Sequence, residues 1–214
     1  VVADFCDDHF EWPHYRRLLD IADTVTCPTH AMKSRFSRAS TVIIDPYEFD
    51  ELVPHSEGNK LLWFGNAVNF SSLQRFAPSL AGYPMMVVSN VAGCIPWSLA
   101  TMRGAFALAD IVIIPATKDY KSPNRAIESI RQGCFVVAEP HPSLDDIPGI
   151  WIGDIKQGVE WAHRNPSEAK HRTKAAQDYI RNRYSPKTQA SAWRNLLTAL
   201  CSTWDQESVY GTSG

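Results

Sequence analysis

The stretch Ala109–Glu139, ADIVIIPATKDYKSPNRAIESIRQGCFVVAE, decides the fold class of this chain. Its apolar, β-branched run Ile111–Pro115 is typical of a strand that is covered on both faces, as in a parallel sheet. A polar loop follows, then a helix predicted over residues 124–132, with apolar residues at helical spacing and Gly133 at its end. A second apolar strand, Cys134–Ala138, completes a β-α-β unit. The sequence therefore predicts an α/β protein with a parallel sheet.

The start of the predicted helix has the composition of an anion-binding site. Ser122 or Asn124 is suited to cap the helix, with Pro123 in its first turn. Unpaired N–H groups and the positive end of the helix dipole attract an anion to such a point. The charged neighbours that would strengthen this attraction are Lys118, Lys121 and Arg125. Glu128 lies one turn further on, where its carboxylate could accept hydrogen bonds from two adjacent hydroxyl groups such as those of a ribose.

The same alternation of strands and helices runs through most of the chain. Strands are predicted at Val1–Cys6, Thr24–Cys27, Thr41–Ile44, Leu61–Gly65, Met85–Ser89, Ile111–Pro115, Cys134–Ala138 and Ile150–Ile152. Helices are predicted at Tyr15–Ala22, Ala31–Phe36, 70–80, 98–108, 124–132, 155–164, Ala169–Arg183 and Thr188–Thr203.

Five segments follow from this order of elements. We expect a remnant of a Rossmann-like unit at residues 1–46, a polar linker at 47–59, a Rossmann-like domain at 60–166, two terminal helices at 167–205 and a disordered tail at 206–214. The first segment is too short to be a complete domain of the usual size, so the N-terminal domain is expected to be incomplete.

Several motifs in this chain resemble those of glycosyltransferases of the GT-B fold. They are the strand and glycine turn Lys60–Asn66, the lead-in Ala107–Asp110, the run Ser122–Arg125 with Glu128 and Gly133, and the strand Phe135–Ala138. The steps Ala22–Val25 and Val42–Pro46 are similar to the end of the acceptor-side domain of the same fold. The resemblance implies two Rossmann-like parallel sheets flanked by helices, arranged as in the GT-B fold, with the terminal helix packed back onto the first domain.

The resemblance also implies a function and a set of site residues. Such a protein binds a nucleotide-sugar donor as its co-substrate, without a further cofactor and without a catalytic metal held by the protein. The donor-binding residues would be Gly65, Asn66, Ser122, Asn124, Arg125 and Glu128, with Glu128 on the ribose. Lys118 or Lys121 would act as a catalytic residue by stabilising the negative charge on the departing diphosphate. The sugar would pass to a hydroxyl group of a carbohydrate or lipid-linked acceptor.

One position departs from the pattern of retaining members of the family. They often carry a Glu that touches the transferred sugar, eight residues before the position of Glu128, and this chain has Tyr120 there. Asp119 is the adjacent acid and would be the substitute. Two hypotheses therefore stay open: a glycosyltransferase, with retention favoured by the resemblance, or a non-catalytic scaffold protein that keeps the fold. An epimerase of the same architecture is a third alternative.

Composition narrows the class further. A net charge of −2 provides no basic excess for binding nucleic acid. The five cysteines are scattered without a Cys-x-x-Cys pair, which favours a reducing compartment over a disulfide framework or a zinc site. No Gly-x-Gly-x-x-Gly or Walker motif is present, which argues against the common nicotinamide and ATP sites. We therefore expect a cytoplasmic protein, and peripheral contact with the inner membrane surface through the basic segment 170–183 stays open.

Two further features carry alternatives. The cluster formed by Asp4, Asp7, Asp8 and His9 could bind a divalent metal, but helix and turn capping accounts for acids at the end of a strand, and we expect no metal there. Trp97, in a loop after a predicted strand, is the tryptophan that we expect to stack on a ligand.

Overall fold

A computed structural model of the chain describes residues 1–117 and 120–210, the last eight of these by their backbone alone. Its elements form two parallel sheets with helices packed against them. This arrangement confirms the α/β class predicted from the alternation of strands and helices.

The first sheet has three strands in the order β1-β2-β3, all parallel. Its elements are β1 (Val2–Asp4), α1 (Pro13–Ile21), β2 (Thr24–Cys27), α2 (His30–Lys33) and β3 (Ser40–Val42). The Thr29 side chain caps α2 by accepting a hydrogen bond from the Met32 amide. A small core built around Phe5, Val25 and Met32 holds this unit together, and α1 has no fully buried residue.

The second sheet has five parallel strands in the order β5-β4-β6-β7-β8. The strands are β4 (Leu61–Phe64), β5 (Met85–Val88), β6 (Ile111–Ile114), β7 (Phe135–Ala138) and β8 (Trp151–Ile152). The helices are α3 (Phe70–Gln74), α4 (Leu99–Leu108), α5 (Asn124–Arg131), α6 (Ile155–Arg164), α7 (Pro166–Arg183) and α8 (Pro186–Tyr210). Three short 3₁₀ turns complete the described elements: Ala67–Asn69, Ala77–Leu80 and Pro142–Leu144.

Both faces of the second sheet are covered, which explains its apolar strands. Alternate side chains of a strand point to opposite faces. Thus Leu61 and Trp63 enter the core on one face, and Leu62 enters the core on the other, beside Val112 and Ile127. All four residues of β6 and of β7 are buried, as the continuous apolar runs predicted.

The strand order places a crevice at the carboxyl ends of β4 and β6. The chain leaves β4 toward β5 on one side, and later returns to β6 on the other side of β4. In an open parallel sheet this reversal leaves a gap between the connecting loops, and ligands bind there. The loops at this point are those that follow Phe64 and Ile114.

The element boundaries agree with the sequence prediction to within a few residues, with two exceptions. The helix predicted over 70–80 splits into α3 and a 3₁₀ turn, because Pro78 cannot donate the hydrogen bond that a continuous helix requires. The backbone of α8 continues to Tyr210, so residues 206–210 belong to that helix and not to a tail, which corrects the expectation. No glycine or proline interrupts the chain between Pro186 and Gly211, which explains the length of α8. Residues 211–214 lie outside the described residues.

The segment predicted as a linker, residues 47–59, contains no helix or strand but is firmly attached to the second unit. The Arg131 guanidinium donates to the carbonyl oxygens of Phe49 at 3.4 Å and Asp50 at 2.5 Å. The Gln177 amide of α7 donates to the Val53 carbonyl at 2.7 Å. Because polar side chains of the helices pair with its backbone groups, this irregular segment can lie against the core.

The last helix contacts the first unit, as the resemblance implied. The side chain of Gln189, in α8, accepts a hydrogen bond from the Ile44 amide just after β3 and donates to the Arg183 carbonyl.

In the part of the chain that the structure describes, no helix combines the length and the hydropathy that a membrane span requires.

Replacing Gly133 by Ala should destabilise the protein by about 2–4 kcal/mol. The residue has a φ of +80°, and an added Cβ would lie 2.7 Å from the carbonyl oxygens of Val53 and Pro54. Urea unfolding measures the effect, with Gly104→Ala as the control because Gly104 lies in α4 with no neighbour within 4 Å of an added Cβ. The control should gain about 0.5–1 kcal/mol. Equal stability of Gly133→Ala and the parent would contradict the packing of the linker against α5.

Candidate functional site

Two adjoining cavities open at the crevice between β4 and β6. The first, of about 60 Å³, lies at the start of α5, and its lining includes Thr117, Lys121, Ser122 and Arg125. The second, of about 390 Å³, is lined by Phe64, Gly65, Asn66, Asn90, Trp97 and Arg125. Five of the predicted site residues, Gly65, Asn66, Lys121, Ser122 and Arg125, therefore lie around one continuous region. Arg125 forms the wall that the two cavities share.

Arg125 is a largely buried cation with unused hydrogen-bonding capacity. Among the described residues its guanidinium makes one hydrogen bond, a long one of 3.4 Å to the Phe64 carbonyl. Burial lowers the pKa of Arg125, and the negative charge of Asp7 opposes that effect. A guanidinium nevertheless stays protonated in a protein, so the site holds a permanent positive charge. An anion in either cavity would find its N–H groups available.

The loop that precedes α5 is joined to the first unit by backbone pairing. Asp7 and Lys121 form an isolated antiparallel bridge, and the Asp8 amide donates to the Tyr120 carbonyl at 3.0 Å. The Ser122 amide donates to the Cys6 carbonyl at 3.3 Å. The loop after β1 therefore fixes the loop that carries Lys121, and both units shape the site.

The capping prediction for α5 is wrong. The helix begins at Asn124, with Pro123 at the capping position and no side-chain cap. The Ser122 hydroxyl donates instead to the Asn124 side-chain carbonyl at 2.7 Å, and the Asn124 amide donates to the Asp45 carboxylate at 3.3 Å. The two side chains pair with each other and with the first unit, and this pairing replaces the cap.

Asp45 brings a negative charge to the start of α5, where it accepts the hydrogen bond from Asn124. Burial raises the pKa of its carboxyl group, while hydrogen bonds from Ser122 and Asn124 lower it and the charges of Asp4 and Asp7 raise it again. The carboxylate lies where the helix dipole and the Asn124 amide favour negative charge. A ligand anion at the same position would compete with Asp45 for the Asn124 amide.

Glu128 lies deeper than a helix-surface acid would. Only 8% of the residue is exposed, and it lines neither cavity. One oxygen, Oε1, accepts a hydrogen bond of 2.5 Å from the Glu48 amide of the linker. The other, Oε2, is buried and has no partner among the described residues. Burial raises the pKa of Glu128 to about 7.

The remaining predicted residues are distributed as follows. Lys118 and Asp119 lie outside the described residues. The ring of Tyr120 packs on the core of the first unit and carries the Arg35 guanidinium at 4.9 Å from its centroid. Trp97 is 59% exposed and borders the second cavity. Such exposure of an indole beside a cavity is what stacking on a ligand requires.

Sequence reasoning missed two asparagines of the site. Asn90 lines the second cavity, and its side-chain oxygen accepts a hydrogen bond from the Ala67 amide at 2.8 Å. Asn69 lines the first cavity and accepts a hydrogen bond of 3.5 Å from the Lys121 ammonium. Asn90 follows β5 by two residues, so the rule that ligands meet the carboxyl ends of parallel strands could have found it.

Two acids of the cluster that could have bound a metal, Asp4 and Asp8, have protein partners. Asp4 accepts a hydrogen bond of 2.6 Å from the Thr26 hydroxyl. Asp8 accepts one from the Phe10 amide and pairs with Arg35 at 3.3 Å. Among the described residues, no group of three or more acids, histidines or cysteines has the arrangement of a metal site.

Comparison with known proteins identifies the fold. No protein-family model matches the chain, and no curated protein matches it by sequence. Among solved structures, HepE of Anabaena in complex with UDP superposes with a TM-score of 0.77 at 13% identity, over 92% of this chain and 72% of HepE. Sucrose-phosphate synthase of Thermosynechococcus elongatus gives a TM-score of 0.76 at 10% identity, over 94% of this chain and 68% of the synthase.

The structure of TarM gives a TM-score of 0.69 at 10% identity, over 91% of this chain. The match spans 49% of the TarM chain, about half its length. These neighbours are glycosyltransferases of the GT-B fold, which confirms the fold expected from the motifs. At identities this low the likeness defines the fold, and the activity of this chain has to be argued from its own residues.

The buried position of Glu128 predicts a specific dependence of stability on pH. The carboxyl group has a pKa of about 7 in the folded chain against a reference value of 4.5, so between these values the folded state holds a proton that the unfolded chain releases. The contribution of this bound proton to the free energy of unfolding is complete below pH 4.5 and disappears as the pH rises through 7. Relative to Glu128→Gln, the parent should lose up to about 3 kcal/mol of unfolding free energy over this interval.

Urea unfolding of both proteins at pH 5 and pH 8 measures this difference. A matched control is Glu160→Gln on α6, whose carboxylate is partly exposed and pairs with Lys156 and Arg164. The control should follow the parent. A constant difference between Glu128→Gln and the parent at both pH values would show that Glu128 ionises normally.

Proposed function

We propose that this chain binds a nucleoside-diphosphate sugar at the carboxyl ends of β4 and β6 and forms the donor-binding part of a glycosyltransferase. The observation that carries the proposal is the placement of Lys121, Ser122 and Arg125 around the start of α5, beside a cavity bordered by an exposed tryptophan. HepE of Anabaena, one of the structural neighbours, has been solved with UDP, with UDP-glucose, and with UDP and glucose. That likeness supports the same class of ligand here.

The diphosphate would lie between the two cavities. Arg125 would bind it with its free N–H groups, and Lys121 with its ammonium group would meet the oxygen nearest the sugar. Asn124 would donate to it in place of its contact with Asp45, and Ser122 in place of its bond to Asn124. Gly65 has no side chain between the backbone and Arg125, so a ligand can approach closely. An added Cβ would lie 3.6 Å from the Arg125 guanidinium and 3.1 Å from the Trp63 ring.

The nucleoside would occupy the larger cavity. Its volume of about 390 Å³ is in the range of small-ligand sites, whereas the cavity at α5 has room only for a phosphate-sized group. The base would stack on Trp97, with Asn66 and Asn90 as polar partners. The resemblance implies Glu128 on the ribose, but its Oε2 is buried and the residue lines neither cavity, so such a contact would require the carboxylate to become accessible when the ligand binds.

The transfer itself would follow from this arrangement. An acceptor hydroxyl attacks the anomeric carbon, the bond from that carbon to the diphosphate oxygen breaks, and the nucleoside diphosphate leaves with the electron pair. The hydroxyl proton passes to the departing diphosphate or to solvent. Lys121 and Lys118 would stabilise the charge of the leaving group, and Asp119 would be the substitute for the Glu that retaining members often carry. Retention of configuration is the outcome that the family resemblance favours.

A scaffold protein without activity is the second candidate. It is favoured by Tyr120, whose ring lies against the first unit at the position where retaining enzymes often carry a sugar-contacting acid. It is also favoured by Asp45, which already accepts a hydrogen bond from Asn124 at the start of α5. A scaffold of this kind would show no binding of a nucleoside diphosphate.

Calorimetric titration with UDP, GDP, ADP and thymidine diphosphate should show saturable binding of one of them. Arg125→Gln should weaken that binding about 10- to 100-fold, because a hydrogen bond to a charged group is lost. Since Arg125 is largely buried, Trp97→Ala provides a variant with little risk to folding. Loss of the stacked indole should weaken binding by about tenfold.

The matched control for Trp97 is Trp12→Ala in the first unit, since Trp12 is also about half exposed and lies outside both cavities. Its binding should equal that of the parent. The donor-site proposal fails if none of the four diphosphates binds, or if Trp12→Ala weakens binding as much as Trp97→Ala does.

A further inference from the structure

A third cavity, of about 700 Å³, lies where the first unit faces the loop after β6. The lining from the first unit and from the loop is Asp8, Phe10, Glu11, Arg16, Arg35, Thr117 and Tyr120. Thr117 also lines the cavity at the start of α5. The third cavity therefore opens directly beside the point where the proposed diphosphate would end and the transferred sugar would begin.

The two arginines of this cavity are held in place in different ways. Arg35 pairs with the Asp8 carboxylate at 3.3 Å through Nε and stacks over the ring of Tyr120. Its charge is therefore balanced by Asp8. Arg16 donates through Nε to the Phe10 carbonyl at 2.6 Å and has no ion pair among the described residues. Within the part of the chain that the structure describes, the Arg16 guanidinium is thus positioned by a neutral oxygen and makes no ion pair, although the Glu11 carboxylate lines the same cavity.

A guanidinium positioned in this way is suited to one class of ligand group. Two parallel N–H bonds from its terminal nitrogens match the oxygens of a carboxylate or a phosphate. Because the bond to Phe10 already orients the side chain, less conformational entropy is lost when an anion binds. The rings of Phe10 and Tyr120 line the same cavity and provide apolar surface of the kind that a sugar ring covers.

We propose that this cavity is the acceptor site and that Arg16 binds an anionic group, a carboxylate or a phosphate, on a hydroxylated acceptor. The inference rests on the proposed function, because the cavity holds an acceptor only if the adjoining site holds a donor. It adds to that function the substrate class and a specificity-determining residue. An acceptor bound to Arg16 would direct its hydroxyl groups past Thr117 toward the start of α5.

The test is a titration of the chain with glucose 6-phosphate, glucuronate and glucose, followed by saturation-transfer NMR. One or both of the anionic sugars should bind the parent, and glucose should bind at least tenfold more weakly. Arg16→Gln should weaken the anionic sugars about 10- to 100-fold. Arg16→Lys keeps the charge but loses the pair of parallel N–H donors. Its affinity for the anionic sugars should lie between that of the parent and that of Arg16→Gln. The better of the two anionic sugars distinguishes phosphate from carboxylate.

Arg17→Gln is the matched control, because Arg17 is the neighbouring exposed arginine on α1 and does not line the cavity. It should bind as the parent does. Equal binding of glucose and the anionic sugars would overturn the proposal, and so would a loss in Arg17→Gln as large as that in Arg16→Gln, which would indicate general surface charge.

A parallel titration of each protein with the best nucleoside diphosphate separates this inference from the proposed function. Unchanged diphosphate binding in Arg16→Gln, together with weaker binding of the anionic sugar, supports an acceptor site distinct from the donor site. Diphosphate binding without any binding of an anionic sugar overturns the acceptor inference alone. Anionic-sugar binding that depends on Arg16, without any diphosphate binding, overturns the proposed function and, with it, the identification of the cavity as an acceptor site.

Discussion

The structure depends on the hydrogen bonds that two buried side chains of α5 make to the backbone of the linker. Glu128 accepts from the Glu48 amide, and Arg131 donates to the carbonyls of Phe49 and Asp50. An irregular segment can be buried only when its backbone groups find partners, because each unpaired one costs about 1–3 kcal/mol. The Arg131 guanidinium carbon also lies 4.0 Å from the ring centroid of Tyr47, and this contact holds the first residue of the linker in place. These contacts determine where the chain can cross from one sheet to the other.

Two parts of α5 serve different purposes. Its later residues Glu128 and Arg131 bind the linker, and its first residues, with Lys121 and Ser122 just before them, form the candidate ligand site. Asp45 connects the first unit to this site, because it follows β3 closely and accepts a hydrogen bond from Asn124 at the start of α5. A phosphate that displaces Asp45 would therefore change a contact between the two units as well as fill the site. In the proposed binding mode, ligand binding would therefore be coupled to this contact between the units.

The fold could be predicted from the sequence because its signal is local. The continuous apolar runs of β6 and β7 need a sheet covered on both faces, and Gly133 needs a left-handed turn, as its φ of +80° shows. The contents of the site were predicted in part, since Lys121, Ser122 and Arg125 are close in sequence as well as in space. Asn69 and Asn90 were not predicted, because no local sequence pattern shows which polar loops come together at the carboxyl ends of the strands.

The environment of Glu128 was beyond prediction for a related reason. Its partner is an amide 80 residues earlier in the chain, in a segment whose polar composition indicated a solvated linker. Only the packing of that segment against α5 and α7 shows why the carboxylate is buried and why its pKa rises. The role proposed for Arg16 likewise depends on the lack of an ion pair among the described residues, which a sequence cannot reveal.

The most direct test of the central claim is a crystal structure of this chain grown with UDP, or with whichever nucleoside diphosphate binds best. The account predicts the diphosphate at the start of α5, in contact with Lys121, Ser122 and Arg125, with the base against Trp97 and Asn124 released from Asp45. A nucleotide bound elsewhere on the chain, with Asp45 still bonded at the start of α5, would contradict it.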